Sequence, residues 1–212
     1  AIFWTYYVGR HSFGPTGGWR YLTVWGLSLN FLVAIWAFAG LWSRRLRKTN
    51  PLLPTALTVS TLVVILYWGL YAIDSDMVNA DGALPWYSEF YMHLGTTIGV
   101  YLEAFCFNEA SKSRLRSLVP VGLVALAYVL WVDLVVAKYN TAPCGQTTDV
   151  CGYPYPFLND LSVPTRLGFY VAGGIGFLLV STVILTVWQR VQVSRPMPSL
   201  SSEFSIKTLP II

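Results

Sequence analysis

The chain has 212 residues, of which 55% are hydrophobic and only 11% are charged. Soluble domains average roughly 25% charged residues, so this composition excludes an ordinary soluble protein and indicates an integral membrane protein. The net charge of +4 does not indicate nucleic-acid binding, because no basic groove interleaved with aromatic residues lies outside the apolar segments.

Five apolar segments are long enough to cross a bilayer as helices. They cover residues 21–42, 55–73, 86–107, 118–137 and 166–188. A shorter apolar segment at residues 1–8 is below the ~20 residues that a span needs, and we interpret it as an interfacial anchor or the remnant of a helix. The strict two-residue alternation of a membrane barrel is absent. The sequence therefore predicts an all-α, polytopic membrane helical bundle with five full spans plus the short N-terminal segment. Residues 1–194 form one transmembrane bundle domain, and residues 195–212 form a tail.

Lysine and arginine residues are concentrated on one side of the predicted bundle. This side holds Arg44, Arg45, Arg47, Lys48, Lys112, Arg114, Arg116, Arg190, Arg195 and Lys207, whereas the other side holds Arg10, Arg20, Lys138 and Arg166. The positive-inside rule places the first group, and with it the C-terminal tail, in the cytoplasm. The loop at 138–163 then faces the non-cytoplasmic side of the ER, the plasma membrane or a bacterial inner membrane.

The three cysteines are expected to differ in state. Cys144 and Cys151 lie in the predicted non-cytoplasmic loop, where oxidising conditions favour a disulfide between them. A metal site is the weaker interpretation, because neither a second cysteine pair nor a histidine stands nearby in the loop. Cys106 lies near the cytoplasmic end of its predicted helix, and we expect a free, buried thiol there.

His93 lies within the third apolar segment and is one of only two histidines in the chain. A histidine in hydrocarbon is costly to bury, so it predicts a functional site with a polar partner. The candidate partners are Thr23, Thr96, Thr97 and Asp133. The alternative is that His93 only forms a hydrogen bond that joins two helices.

Thr23, His93 and Asp133 are predicted to lie within roughly 5 to 10 Å of the same outer membrane boundary, at ~1.5 Å per helical residue. A hydroxyl, an imidazole and a carboxylate are the components of a nucleophile, a base and a group that orients the base. Shared depth does not determine which helix faces meet, and Asp133 could equally pair with Lys138 or Arg166. Glu103 lies about 15 Å further along the helix from His93 and is a poor partner for it.

Small residues in two segments predict close helix packing. Gly95 and Gly99 form a GxxxG step one turn beyond His93. The last apolar segment contains Gly168, Gly173, Gly174 and Gly176. Glycines at such positions allow two helix backbones to approach each other.

Four stretches, in the same order, resemble the androgen-induced gene 1 family, also called the FAR-17a family. They are GGWRYLT at 17–23, PWYSEFYMHLGTTI at 85–98 with YAIDSDMV before it, YVLWV at 128–132 and YPYPFL at 153–158. The resemblance implies a multispanning hydrolase of fatty acid esters of hydroxy fatty acids, with a threonine nucleophile and a histidine. The family's threonine then falls on Thr23 and its histidine on His93. The family has its histidine directly before Thr-Thr, whereas Leu94 and Gly95 intervene here.

Together these observations predict a membrane-embedded lipid ester hydrolase with Thr23, His93 and Asp133 in the catalytic site. No metal or cofactor is expected, and the expected partners are membrane lipids or lipid esters. The alternative is a non-catalytic structural or lipid-binding subunit of a larger membrane protein complex. A large distance between the Thr23 hydroxyl and His93, with no cavity beside them, would favour the subunit.

Overall fold

The computed structural model describes residues 15–42, 50–78, 84–110 and 113–193. Within these ranges the chain is helical and has no β-strand. The N-terminal segment at 1–8, the basic cluster at 44–48 and the tail at 195–212 lie outside the described residues. The predictions made for them, and the assignment of the two sides of the membrane, stay predictions.

The described part of the chain contains six helices. They are α1 (Leu22–Ala39), α2 (Leu53–Ile73), α3 (86–107), α4 (Arg114–Tyr139), α5 (Pro156–Asp160) and α6 (Val163–Val193). Short 3-10 turns at Gly17–Arg20 and Ser75–Met77 precede α1 and follow α2.

Four of these helices, namely α1, α2, α4 and α6, are long and apolar enough to cross a membrane. The remaining predicted span, α3, is a continuous helix made of short α- and π-helical segments. The all-helical architecture of an integral membrane protein is therefore confirmed, whereas the count of five spans stays a prediction.

The centre of the bundle is α2, which contacts each of the other four long helices. Pro54 in its first turn suits a helix start, because the missing N–H would have no partner there. Residues Leu53, Ala56, Leu57 and Val59 along α2 are fully buried. The outward faces of α1, α4 and α6 instead carry exposed Leu, Phe and Val side chains, as expected for helices in contact with lipid.

The glycines expected to bring helices together do not do so. An added Cβ at Gly99, Gly168, Gly173, Gly174 or Gly176 would meet nothing within 4 Å, and at Gly95 it would meet only atoms of the same helix. The close approach occurs at Gly26 in α1, where a Cβ would lie 3.4 Å from Val59 of α2. The GxxxG spacing is thus present in α3, but no other helix covers it within the described residues.

The loop between α4 and α5 is held by several links at one end of the bundle, called the disulfide end below. Cys144 and Cys151 form the predicted disulfide. Asp160 accepts hydrogen bonds from the backbone N–H groups of Gln146, Thr147 and Thr148 at 3.0, 2.8 and 3.2 Å. The disulfide therefore closes the loop on itself, and the bonds to Asp160 hold it against α5.

Cys106 is a free cysteine, as predicted, but it is exposed rather than buried. It lies in the π-helical segment Glu103–Phe107 at the end of α3, where its neighbour Ala104 is the residue turned into the core. The prediction of a buried thiol was wrong because depth along a helix does not determine which face a residue occupies.

Candidate active site

Thr23 and His93 meet near the disulfide end of the bundle. Thr23 is the second residue of α1, and its Oγ1 lies 3.5 Å from Nδ1 of His93 in α3. Both residues are buried, with 9% and 5% of their surfaces exposed. A hydroxyl beside an imidazole is the geometry of a nucleophile and its base, and such contacts are often loose in the absence of substrate.

Glu89 occupies the other side of the imidazole. It lies one helical turn before His93 in α3, and its Oε2 is 3.3 Å from Nε2 of His93. The same oxygen accepts a 2.6 Å hydrogen bond from the hydroxyl of Tyr67 in α2. The other carboxylate oxygen, Oε1, accepts from the backbone N–H of Leu84 at 3.0 Å. Both oxygens of this buried carboxylate are therefore hydrogen-bonded, as burial requires.

Tyr67 also fixes the plane of the imidazole. Its ring is stacked on that of His93, with centroids 3.4 Å apart and an angle of 5° between the planes. The Tyr67 ring thus covers one face of the imidazole, and the Tyr67 hydroxyl donates a hydrogen bond to the Glu89 carboxylate that contacts Nε2. These two contacts leave the His93 ring little freedom to rotate about its side-chain bonds.

The contacts of His93 define the roles of its two nitrogens. A carboxylate only accepts hydrogen bonds, so the tautomer that satisfies Glu89 has its proton on Nε2, which donates a hydrogen bond to the carboxylate. In that tautomer Nδ1 has a lone pair that faces the Thr23 hydroxyl. The arrangement has the order hydroxyl, imidazole, carboxylate that activates the nucleophile of serine hydrolases.

A π-helical segment, Tyr91–Gly95, contains His93. A π-turn adds one residue to the helical turn and changes the direction of the side chains that follow, and such turns are frequent at functional sites. The segment also contains Leu94 and Gly95, the two residues that separate His93 from Thr96 and Thr97. Those two threonines contact the backbone carbonyls of Met92 and Ser60 rather than His93.

Asp133 is not part of this cluster. Its Oδ1 accepts a hydrogen bond from the Tyr153 hydroxyl at 3.0 Å and lies 3.7 Å from Nε of Arg166. The Asp133 side chain is 44% exposed, so it forms a surface link between α4, the disulfide loop and α6. This is the pairing with Arg166 that the sequence left open as an alternative, and it leaves the position beside His93 to Glu89.

Sequence reasoning missed Glu89, although a signal was present. Glu89 precedes His93 by four residues, and side chains at that spacing are neighbours on a helix. Within the described residues no group of histidine, cysteine and acidic side chains could hold a metal ion.

The fold and the site together define a class: a multispanning helical membrane protein with a buried threonine, histidine and glutamate cluster near one end of the bundle. The sequence matches the FAR-17a/AIG1-like protein family over residues 2–189, and the chain belongs to that family. No curated protein and no solved structure matches it.

Proposed function

We propose that the protein is a membrane-embedded lipid ester hydrolase in which Thr23 is the nucleophile and His93 is the base. The observation that carries this proposal is the 3.5 Å contact between Thr23 Oγ1 and His93 Nδ1 within a buried cluster. Membership of the FAR-17a/AIG1-like family supports it. The alternative of a non-catalytic subunit is less favoured, because a hydrogen bond that only joins α1 to α3 does not require the Glu89 carboxylate and the stacked Tyr67 ring on the same imidazole.

The first half of the reaction forms an acyl-enzyme. Nδ1 of His93 takes the proton from the Thr23 hydroxyl as Oγ1 attacks the ester carbonyl carbon. The bond from that carbon to the alcohol oxygen breaks, and the departing oxygen takes the proton from Nδ1. Thr23 lies in the first turn of α1, where backbone N–H groups lack helical partners and the helix dipole favours negative charge on the carbonyl oxygen.

The second half regenerates the threonine. His93 Nδ1 removes a proton from water, the resulting hydroxide attacks the acyl carbon, and the bond to Thr23 Oγ1 breaks. The proton on Nδ1 returns to Oγ1, and a fatty acid is released. Glu89 holds Nε2 throughout and stabilises the imidazolium that forms in each half.

Substitution of the two residues singly and together tests this mechanism. We expect Thr23→Ala and His93→Ala each to remove most turnover of lipid esters by the purified protein. The double variant should lose little more, because residues that act as a unit are not additive. Thr186→Ala is the matched control, since among the described residues that hydroxyl donates its hydrogen bond to the Thr182 carbonyl of the same helix, α6. Wild-type turnover in both single variants on every ester tried would favour the subunit instead.

A further inference from the structure

A long groove runs between α1 and α3 on the side of the bundle. Its volume is about 1040 Å³, and its wall is mainly apolar. Residues from both helices line it, among them Leu27, Ala34 and Phe38 of α1 and Thr96, Gly99 and Phe107 of α3. The groove is open along its length, because Tyr91 at one end, Phe31 in the middle and Phe38 at the other end are 61%, 63% and 63% exposed.

The groove begins next to the candidate active site. Leu27 lies one helical turn beyond Thr23, and Thr96 lies about one turn beyond His93. The helices α1 and α3 run in the same direction, away from the disulfide end, because α2 runs back between them. The lining of the groove therefore starts one helical turn from the candidate active site, within reach of the chain attached to an ester carbonyl placed at Thr23.

The length of the groove fits a fatty acyl chain. From His93 to Phe107, and from Thr23 to Phe38, each helix advances about 20 Å at ~1.5 Å per residue. Half of a hydrocarbon core ~30 Å thick, the depth filled by one layer of lipid chains, is about 15 Å. An extended chain of ordinary membrane lipid length can thus lie in the groove with its ester at Thr23.

The volume of the groove, about 1040 Å³, is close to the upper limit of small-molecule sites, which measure about 300 to 1,000 Å³. The wall is not apolar throughout, because the carboxyl-bearing Glu103 lines the groove near the end remote from His93.

Gly99 creates open space in the middle of the groove. A Cβ added there would meet nothing within 4 Å, so the missing side chain leaves room that no protein atom fills. Gly99 lies about 9 Å beyond His93 along α3, at ~1.5 Å per residue. A larger side chain at this position would obstruct a long chain but would lie beyond the end of a short one.

We propose that this groove binds the acyl chain of the ester and that Gly99 determines how long a chain is accepted. The inference rests on the proposed function for the position of the ester, but the occupation of the groove can be tested without turnover. A second copy of the chain or a helix of a partner protein are the competing occupants.

The first experiment measures binding in the Thr23→Ala protein, which cannot turn over ester. The protein is reconstituted in phosphatidylcholine vesicles with a photoreactive palmitate analogue, irradiated, and digested for mass spectrometry. We expect label on groove residues such as Phe38 and Phe107. Label spread over the faces of α4 and α6, or a crosslink between two copies of the chain through the groove, would overturn the proposal.

The second experiment compares chain-length preference in two glycine variants. Gly99→Leu should lower the ratio of kcat/KM for a palmitoyl ester to kcat/KM for a butyryl ester by about 10-fold or more, a usual penalty for misfit in an apolar pocket. Gly122→Leu is the matched control, because Gly122 of α4 also meets nothing within 4 Å but lies outside the groove. Ala34→Leu, on the opposite wall, should act in the same direction as Gly99→Leu.

The outcomes separate the two proposals. Labelling of the groove by palmitate with no turnover of any ester would contradict the hydrolase while supporting the chain site. Normal turnover with an unchanged chain-length ratio in both Gly99→Leu and Ala34→Leu would contradict the chain site while supporting the hydrolase. If Gly99→Leu fails to fold, Ala34→Leu and the palmitate labelling still decide the question.

Discussion

Glu89 and Asp133 are two carboxylates at similar depth, and only one of them contacts His93. Depth in the membrane alone predicts the orienting role for Asp133. Helices that share a depth can present their residues to different neighbours, and the bundle turns Asp133 toward Tyr153 and Arg166. The position of Glu89, four residues before His93, is what places a carboxylate at Nε2.

Amide substitution of each carboxylate distinguishes their roles. Glu89→Gln should lower kcat at least about 10-fold with a smaller change in KM, because an amide can hold Nε2 but does not stabilise the imidazolium that forms during turnover. Asp133→Asn should leave kcat near that of the wild type, since Asp133 does not contact His93. Steady-state kinetics on a soluble ester would measure both. A larger loss in Asp133→Asn than in Glu89→Gln would contradict the assignment.

Thr23 and His93, by contrast, could be predicted from the sequence. An isolated histidine in an apolar span and a threonine at matching depth were visible in the residues, and the family resemblance selected the same pair. Neither depth nor resemblance could supply Tyr67, because its stacking on His93 depends on how α2 packs against α3. Contacts between helices, rather than positions along them, were the missing information.

At the scale of an element, glycine patterns were the least reliable guide. The GxxxG step of α3 indicated helix packing, but the structure leaves Gly99 open and uses Gly26 for the close approach of α1 to α2. The same small residues serve either purpose, since a helix face without side chains accommodates another backbone or leaves a groove. Which of the two applies depends on the neighbouring helices and cannot be read from spacing.

The disulfide loop depends on an ionised Asp160. Hydrogen bonds from the backbone N–H groups of Thr147 and Gln146 hold the pKa of this exposed carboxyl below its usual value. The carboxylate therefore stabilises the loop fully above the unfolded pKa of ~3.9, and this stabilisation is lost as the pH falls through the lower folded-state pKa.

We expect Asp160→Asn to lower the thermal unfolding midpoint in detergent at neutral pH. The difference from the wild type should shrink toward zero as the pH is taken well below the carboxyl's usual range, where the wild-type group is also protonated. Asp149→Asn is the control, because the Asp149 carboxylate makes no hydrogen bond within the described part of the chain. A difference between Asp160→Asn and wild type that stays constant with pH would contradict this role.

At the scale of the whole molecule, Arg20 joins the turn before α1 to the loop that follows α4. The residue is 2% exposed, and its Nη1 donates a 3.0 Å hydrogen bond to the Ala142 carbonyl. Its own backbone carbonyl accepts from the Tyr128 hydroxyl of α4. The neighbouring Trp19 carbonyl accepts from the indoles of Trp25 and Trp131. Three of these four bonds link segments more than 100 residues apart in the chain.

Arg20→Met should therefore destabilise the protein by about 1 to 3 kcal/mol, because the Ala142 carbonyl loses its donor while the length of the side chain is kept. Chemical denaturation in mixed micelles would measure this change. Arg116→Met is the comparison, since Arg116 is exposed on α4 and such substitutions usually lie within about 0.5 kcal/mol of the wild type. Equal stability of the two variants would show that the Arg20 link contributes nothing.

The groove opens to the side of the bundle, along the exposed edge that Phe38 and Phe107 form, rather than at the disulfide end. A ligand that enters there arrives by diffusion within the plane of the bilayer. Its rate of arrival then depends on its mole fraction among the surrounding lipids. Addition of inert phospholipid at constant total substrate would slow the turnover of a long-chain ester that remains in the bilayer, because the ester is diluted in two dimensions.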